Sequence, residues 1–220
     1  MKPLLIFDMD GVLVDVSESY RETIAQTVEK FTGVKPTREQ IQELKNAGGF
    51  NDDWRLTHRM ITESGIAAEF DAVRDYFQSI FLGGLMQRER WVARPGVLEA
   101  LAEQFDFALF TGRPLDEAKM TLDRFAPSLK FAPQIGMYEV ERHKPDPEGL
   151  LRIKEGAQRQ AYYLGDTVDD ARCARAAGIP FIGIAAPSNP LYIDLVFLFQ
   201  EEKSYAIVDD INYLCEVFAS

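Results

Sequence analysis

Four short apolar segments, each followed by a polar turn, do most to limit the folds open to this chain of 220 residues. These segments are residues 4–7, 107–110, 161–164 and 181–185. They are apolar throughout rather than alternating, which is typical of strands buried on both faces. Helical patterns lie between them, at residues 115–125, 147–154 and 168–177, and helical spacers give parallel crossovers. The sequence therefore predicts an α/β fold with an open, doubly wound parallel sheet. We also expect an edge strand at 205–208 and a closing helix at 209–218.

Residues 16–91 depart from this alternation of strands and helices, because they contain no strand-like run. Four helical patterns follow one another there, and they cover residues 17–31, 37–47, 52–64 and 69–87. Thr37 and Gln40 have the spacing of a capping box at the start of the second helix. The stretch is too long for a simple crossover between two strands. We therefore predict an all-α domain at residues 16–91, inserted into an α/β core made of residues 1–15 and 92–220.

The charge balance excludes some partners. Lys and Arg number 24 against 35 Asp and Glu, so the formal net charge is -11. Such a surface repels nucleic acid and anionic lipid, and neither is an expected partner. The apolar run at 4–7 is too short for a signal peptide or a membrane span, so a cytoplasmic location is expected.

Polar residues follow the predicted strands at their carboxyl ends. Ligands bind at this edge of open α/β sheets, so we expect these side chains to converge. The candidates are Asp8, Asp10, Thr111, Gly112, Arg113, Lys144, Asp166, Asp169 and Asp170.

A cluster of carboxylates beside a lysine and a threonine suits phosphoryl chemistry. Ionised carboxylates that lie close together need a cation or a proton, and all-oxygen ligands at a phosphate site favour Mg²⁺. One Asp can then attack phosphorus while a second transfers the proton. Thr111 and backbone amides can hold the phosphoryl oxygens.

Four segments, in this order along the chain, resemble the four motifs of the haloacid dehalogenase superfamily, and the resemblance covers nearly the whole chain. The segments are Asp8-Met9-Asp10-Gly11-Val12, Thr111-Gly112-Arg113, Lys144-Pro145-Asp146-Pro147 and Gly165-Asp166-Thr167-Val168-Asp169-Asp170. The resemblance implies a Rossmann-like core. It also implies that the insert is the small helical cap of the phosphoglycolate phosphatase-like subfamilies, and residues 16–91 are called the cap below.

The resemblance implies a role for each aspartate of the motifs. Asp8 is expected to be the nucleophile that becomes an aspartyl phosphate, and Asp10 the general acid and base. Mg²⁺ is expected to bind the Asp8 side chain, the Asp10 backbone carbonyl and Asp166. Asp170 is expected to act through water or as an orienting neighbour.

Thr111, Gly112, Arg113 and Lys144 are the expected substrate-binding residues. Arg113 stands where related phosphatases commonly have asparagine, so it either adds positive charge for the substrate or pairs with an acidic neighbour. Asp169 and Asp170 compete for one place in the site, and the family spacing favours Asp170.

Several functions remain open within and outside this family. Asp10 argues against a dehalogenase, because halide leaves without a proton. A phosphonate hydrolase needs an imine-forming cap lysine, for which Lys45 is available. A phosphosugar mutase uses the same motifs, whereas a receiver-like signalling domain lacks the insert, and a non-catalytic homologue is a further alternative. The favoured function is a Mg²⁺-dependent phosphatase that acts on a small phosphorylated metabolite.

Two further segments carry predictions. Residues 48–54, a glycine pair followed by polar and aromatic residues, are the candidate for substrate choice, and the alternative is a plain turn between helices. Residues 191–199 are apolar nearly all round and follow Asn189-Pro190, a helix start. This segment is either buried within one chain or forms a homodimer contact.

Overall fold

The computed structural model describes residues 1–218, and its centre is a six-stranded parallel sheet. Two further short strands form a separate antiparallel ribbon. The strands are β1 (Leu4–Phe7), β2 (Val14–Asp15), β3 (Arg90–Trp91), β4 (Asp106–Phe110), β5 (Phe131–Ile135), β6 (Ala161–Gly165), β7 (Phe181–Ile184) and β8 (Ala206–Val208). The order across the large sheet is β5-β4-β1-β6-β7-β8, so the predicted α/β fold class is confirmed.

β1 lies at the point where the strand order reverses. It pairs in parallel with β4 on one side and with β6 on the other, so that Phe7 lies opposite both Leu109 and Leu164. All four residues of β1 are buried, as expected for a central strand covered on both faces. The carboxyl ends of β1, β4 and β6 therefore meet at the topological switch point, where ligands bind in folds of this kind.

Ten α-helices surround the strands in the described part of the chain. They are α1 (Tyr20–Thr32), α2 (Arg38–Ala47), α3 (Asp53–Glu63), α4 (Phe70–Leu82), α5 (Val97–Gln104), α6 (Leu115–Phe125), α7 (Glu148–Ala157), α8 (Val168–Ala177), α9 (Tyr192–Glu201) and α10 (Leu214–Val217). Across residues 1–218, none of the helices has both the length and the apolar character that crossing a membrane requires.

Several elements differ from the sequence prediction. The helix predicted at 69–87 ends at Leu82 and is followed by a 3-10 turn at Leu85–Arg88. The short strands β2 and β3 and the helix α5 were not predicted.

The edge strand β5 was missed because Pro133 and Gln134 interrupt its apolar pattern, and only its two end residues are buried. Edge strands tolerate proline, which has no amide hydrogen to donate to a neighbour. The closing helix predicted at 209–218 is wrong. A short 3-10 turn at Ile211–Tyr213 precedes the four residues of α10, and the Asp210 carboxylate accepts a hydrogen bond from the Asn212 amide at its start.

Helices α1 to α4 lie between β2 and β3 and form the cap. Strands β2 and β3 pair where the chain leaves and re-enters the core. The predicted capping box is present, since the Thr37 hydroxyl accepts from the Gln40 amide and the Gln40 side chain accepts from the Thr37 amide. The domain boundaries at 15/16 and 91/92 remain a prediction, and positions 219 and 220 of the predicted core lie outside the described residues.

Helix α9 begins two residues later than the Asn189-Pro190 pair suggested, although the Asn189 side chain does accept a hydrogen bond from the Leu191 amide. Leu195 and Phe199 are buried against the sheet. Ile193 and Phe197, on the other face, are 61% and 60% exposed. The segment is therefore half buried within the chain, and its use in a homodimer stays a prediction.

Candidate active site

Lys144 lies between two carboxylates at the switch point. Its Nζ is 2.8 Å from Asp170 Oδ1 and 3.2 Å from Asp8 Oδ1. All three side chains are buried, and the Lys144 ammonium also lies over the ring of Phe110. Burial disfavours the charged lysine, but the two carboxylates outweigh it and raise the pKa of Lys144 above its usual range. The structure thus brings together Asp8, Lys144 and Asp170, which come from three separate motifs.

Asp170 is fixed by neighbours on both of its oxygens. The Tyr163 hydroxyl donates to Oδ1 at 2.7 Å, and the Thr167 hydroxyl donates to Oδ2 at 2.6 Å. Although burial opposes ionisation, Lys144 and these hydrogen bonds hold the pKa of Asp170 below its usual range. Asp169 instead faces the cap, where its carboxylate accepts from the Gly49 amide at 2.8 Å. Of the two adjacent aspartates, the structure therefore places Asp170 beside Lys144.

Asp8, Asp166 and Asp170 each bring a carboxylate oxygen within 4.8 Å of the others. Burial raises the pKa of Asp8 to about 7, although Lys144 lowers it, and repulsion from Asp170 and Asp10 raises it further. Burial also raises the pKa of Asp166 well above its usual range. Asp8 Oδ1 is buried, and Lys144 at 3.2 Å is its ion-pair partner. A cluster of buried oxygen donors with excess negative charge fits a hard divalent cation such as Mg²⁺.

Glycine at position 11 lets the first motif approach the fourth. Gly11 has a φ of +71°, and a Cβ placed there would lie 1.9 Å from Asp166 Oδ2. Any side chain would therefore overlap the Asp166 carboxylate and would also strain the backbone. The close contact keeps Asp166 beside Asp8 and Asp10, which lie just before this turn.

The second motif meets the cap loop. Thr111 is buried at the end of β4, and its hydroxyl accepts a hydrogen bond from the Arg113 amide at 3.2 Å. A Cβ built on Gly112 would lie 2.5 Å from Nδ2 of Asn51. Asn51 from the cap therefore lies directly against Gly112, and a larger residue at position 112 would displace the Asn51 side chain.

Arg113 pairs with acidic neighbours, which was the second of its two predicted alternatives. The side chain is fully buried, and its Nε donates to Asp10 Oδ1 at 2.8 Å. Its Nη1 lies 2.6 Å from Glu89 Oε1, and its guanidinium stacks on the Tyr20 ring at 4.6 Å. Burial opposes the charge, yet Asp10 and Glu89 raise the pKa of Arg113. With the guanidinium occupied in this way, a direct contact between Arg113 and substrate remains only a prediction.

Sequence reasoning missed Glu89. It lies between Arg88 and Arg90, where an acidic residue suggests a solvent-exposed run of charges. In the structure Glu89 is buried, and its second oxygen accepts a hydrogen bond from the Thr121 hydroxyl at 2.8 Å. No local pattern marks this residue, because its partners are distant in sequence.

The cap loop at residues 48–54 contacts the core and also starts a helix. Asp52 caps α3 by accepting from the Trp54 amide at 2.9 Å. Asp53 pairs with the buried Lys45 and lies 3.5 Å from Arg21. Lys45 is therefore engaged by a carboxylate in this structure.

A cavity of about 110 Å³ lies between cap and core, next to Asp166. Arg21, Arg38 and Gln42 line it from the cap. Gly11 and Asn189 line it from the core. It offers space for a small organic group beside the carboxylate cluster.

The doubly wound α/β core, the helical insert after the first strand and the carboxylate–lysine cluster at the switch point are the three features that the family resemblance implies. Residues 5–184 match the family described as haloacid dehalogenase-like hydrolase. The chain belongs to this family. The predicted resemblance and the prediction of an enzyme are thereby confirmed.

Two sequence relatives and one solved structure with the same fold illustrate what the chain is similar to. An imidazoleglycerol-phosphate dehydratase from Phytophthora nicotianae is 34% identical over 84% of this chain, which spans only 44% of that protein. A phosphoglycolate phosphatase from Rhodobacter capsulatus is 28% identical, with 83% of this chain and 84% of that one aligned. Among solved structures, a haloacid dehalogenase-like hydrolase from Bacteroides fragilis has a TM-score of 0.80 at 20% identity, covering 97% of this chain and 100% of that one.

Proposed function

We propose that this protein is a Mg²⁺-dependent phosphatase that hydrolyses the monoester of a small phosphorylated metabolite through an aspartyl phosphate on Asp8. One observation carries the proposal, namely the buried Asp8 with Lys144 at 3.2 Å and two further carboxylates within 4.8 Å. Asp8, Asp166 and Asp170 would hold the Mg²⁺, with the Asp10 backbone carbonyl as the ligand that family resemblance adds. The ion would supply positive charge that reduces the repulsion between the phosphate and the carboxylates.

The first half of the reaction transfers the phosphoryl group to Asp8. The Asp8 carboxylate attacks phosphorus, a bond forms between them, and the bond from phosphorus to the ester oxygen breaks. Asp10 donates its proton to that oxygen, so the alcohol leaves neutral. Lys144, which touches Asp8, offsets the negative charge of the arriving phosphoryl group, and the Thr111 hydroxyl and the Gly112 backbone bind its oxygens.

The second half releases phosphate. Asp10, now a carboxylate, accepts a proton from water while the water oxygen attacks phosphorus. The bond between phosphorus and the Asp8 oxygen breaks, which restores both aspartates. No other group in this scheme needs to change its charge.

Two observations support a small substrate. The cavity of about 110 Å³ next to Asp166 has room for a small organic group beside the carboxylate cluster. Two relatives carry names that refer to small phosphate esters, phosphoglycolate and imidazoleglycerol phosphate. We therefore place this chain's substrate among small metabolite monoesters, with no role for nucleic acid or a membrane. The cytoplasmic location remains part of the same proposal.

Phosphate release from a panel of esters tests the function. Phosphoglycolate, imidazoleglycerol phosphate, 4-nitrophenyl phosphate and hexose phosphates are incubated with the enzyme and Mg²⁺. We expect release from at least one metabolite ester, and loss of turnover by ~10³-fold or more in Asp8→Asn, which removes the nucleophile but keeps its shape. If Asp8→Asn keeps more than a tenth of the activity, the nucleophile is wrong. If a hexose phosphate is isomerised and not hydrolysed, the enzyme is a mutase.

The homodimer proposal rests on Ile193 and Phe197, two apolar side chains exposed on one face of α9. Sedimentation at tens of micromolar measures the oligomeric state. A dimer that Phe197→Glu dissociates supports the proposal, and a wild-type monomer ends it.

A further inference from the structure

Arg113 and Glu89 form a buried pair whose other partner is Asp10. Two nitrogens of the guanidinium, Nε and Nη2, both contact the same oxygen of Asp10, Oδ1. The opposite side of the guanidinium, Nη1, meets Glu89 at 2.6 Å and the Thr121 hydroxyl at 3.2 Å. A planar, forked cation held at both ends fixes the position of the carboxylate that it contacts.

The contacts leave one oxygen of Asp10 available. Oδ2 accepts no hydrogen bond within residues 1–218, whereas Oδ1 takes both contacts from Arg113. The Asp10 side chain is also 20% exposed, while the Arg113 side chain behind it is 1% exposed. Arg113 therefore holds Asp10 from the buried side and leaves Oδ2 for a proton transfer.

Glu89 keeps Arg113 in place during that transfer. Burying a cation without a partner is unfavourable, because the charge loses its hydration and gains nothing in return. Asp10 must pass through a neutral form if it donates and accepts a proton, and Glu89 still pairs with the guanidinium at that stage. The Thr121 hydroxyl bridges Arg113 and Glu89, at 3.2 Å and 2.8 Å, and so fixes their relative orientation.

The same network reaches both ends of the cap. Tyr20, the first residue of α1, stacks on the guanidinium, and its hydroxyl donates to Glu117 on α6. Glu89 directly precedes β3, where the chain returns to the core. The position of Asp10 is thereby linked to the two segments that connect cap and core.

We propose that Arg113, anchored by Glu89, is a positioning residue that orients Asp10 for proton transfer to the leaving group. This inference rests on the proposed function, in which Asp10 is the acid and base. Arg113 acts behind Asp10 and does not itself contact the substrate.

The dependence of kcat/KM on the leaving group tests this role. Nitrophenolate leaves with little help from a proton, whereas an alkoxide needs one, and kcat/KM reports the step in which the leaving group departs. The measured quantity is the ratio of kcat/KM for the alkyl monoester that the wild type hydrolyses fastest to kcat/KM for 4-nitrophenyl phosphate. Asp10→Asn sets the full effect of losing the proton donor, ~10²–10⁴-fold on the alkyl ester.

In Arg113→Lys the cation remains, but a single ammonium cannot contact Asp10 and Glu89 as the fork does. We expect the alkyl-to-aryl ratio to fall by ~10-fold or more, part of what a positioned proton donor contributes. Arg159→Lys is the matched control, since Arg159 pairs with Asp106 at the amino end of β4, far from the site, and its ratio should not change. Equal losses on both esters in Arg113→Lys overturn the proposal.

Glu89→Gln provides the test if Arg113→Lys does not fold. It retains the shape of the side chain and the contact between Arg113 and Asp10, and we expect a fall of ~3-fold or more in the same ratio. An unchanged ratio in Glu89→Gln then overturns the proposal. If Asp10→Asn lowers the ratio but the Arg113 and Glu89 variants do not, only this inference fails. If the wild type hydrolyses neither ester, the proposed function fails.

Discussion

Two buried cations contact the segment from Asp8 to Asp10, and each lies between two carboxylates. Lys144 lies between Asp8 and Asp170, and Arg113 lies between Asp10 and Glu89. Both pairs lie at the switch point of the sheet, but their charge balance differs. Around Lys144 a third carboxylate, from Asp166, adds negative charge, and within residues 1–218 it forms no ion pair, although Arg21 partly offsets its charge from a greater distance. Around Arg113 the guanidinium meets two carboxylates, a hydroxyl and an aromatic ring.

This difference in charge balance suits the Lys144 cluster to ligand binding and the Arg113 cluster to holding side chains in place. A cluster with excess negative charge gains from a cation and from a phosphoryl group that the cation can hold. A cluster whose donors and acceptors are paired has little reason to bind a ligand, and it fixes geometry instead. We therefore expect Lys144 to contact the phosphoryl group of the substrate. Arg113 instead holds Asp10, the residue proposed to transfer the proton.

Among the substitutions that test the difference between the Lys144 and Arg113 clusters, Asp10→Asn should have the largest effect on kcat/KM. Asp10 joins them, because it follows Asp8 in the chain and pairs with Arg113. Loss of the proton donor should lower kcat/KM on an alkyl phosphate by ~10²–10⁴-fold. Steady-state kinetics with a phosphate-release assay measures this, and circular dichroism checks the fold. A loss under tenfold contradicts the role of Asp10.

Arg113→Gln should cost much of the folding stability, because it leaves the Glu89 and Asp10 carboxylates without their cation. Breaking one side of a buried pair costs about 3–5 kcal/mol. The double variant with Glu89→Gln removes one of the two uncompensated charges, the fully buried one, so it should recover about 1 kcal/mol or more of that loss. Urea unfolding measures the free energy of unfolding in each case. A single variant that costs under about 1 kcal/mol would mean that the pair is open to water, as surface pairs are.

The Lys144 cluster should destabilise the metal-free protein as pH rises. The pKa of Asp8 lies at about 7 in the folded protein against 3.8 ordinarily, so the folded state holds more protons than the unfolded state between these values. The free energy of unfolding should therefore fall as pH increases from about 4 to 7. Mg²⁺ should reduce this slope, because the ion replaces the proton as the compensating charge.

Urea unfolding at several pH values, with and without Mg²⁺, measures this dependence, and Asp166→Asn makes the test more specific. Without metal it should raise the free energy of unfolding at pH 8, because burial disfavours the ionised Asp166, and it should weaken the stabilisation by Mg²⁺. Asp169→Asn is the matched control, since Asp169 is also buried but bonds to the Gly49 amide. Equal Mg²⁺ responses in the two variants would contradict the three-carboxylate site.

The smallest effects are expected from the cap loop. Asn51 lies against Gly112, and Asp52 caps α3. We expect the double change of Asn51 and Asp52 to alanine to shift relative rates across the ester panel by a few-fold, about 1 kcal/mol, the usual size of a contact in substrate discrimination. Asp52→Ala alone is the control for loss of the helix cap. Unchanged relative rates would assign the loop to packing of the cap.

Much of the core could be predicted because its signals are local. The apolar run at 4–7 became β1 with the same bounds, and residues 115–125 and 168–177 are helices as predicted. Gly11 marks a turn that no other residue allows, so the first motif carries its geometry in its own sequence. The order of four such motifs was enough to identify the family.

Contacts between residues far apart in the chain could not be predicted from the sequence. Asp10 and Arg113 are 103 positions apart, and the sequence left open whether Arg113 faces substrate or an acid. Glu89 gave no signal at all, and β5 was hidden because an edge strand needs no continuous apolar run.

The sequence by itself determined which residues end the strands, since periodicity and turn chemistry act over a few neighbouring positions. The tertiary structure decided which charges are buried together, because burial removes water and makes each charge depend on whichever partner the fold supplies. For this reason Asp170 rather than Asp169 lies beside Lys144, and Arg113 lies behind Asp10.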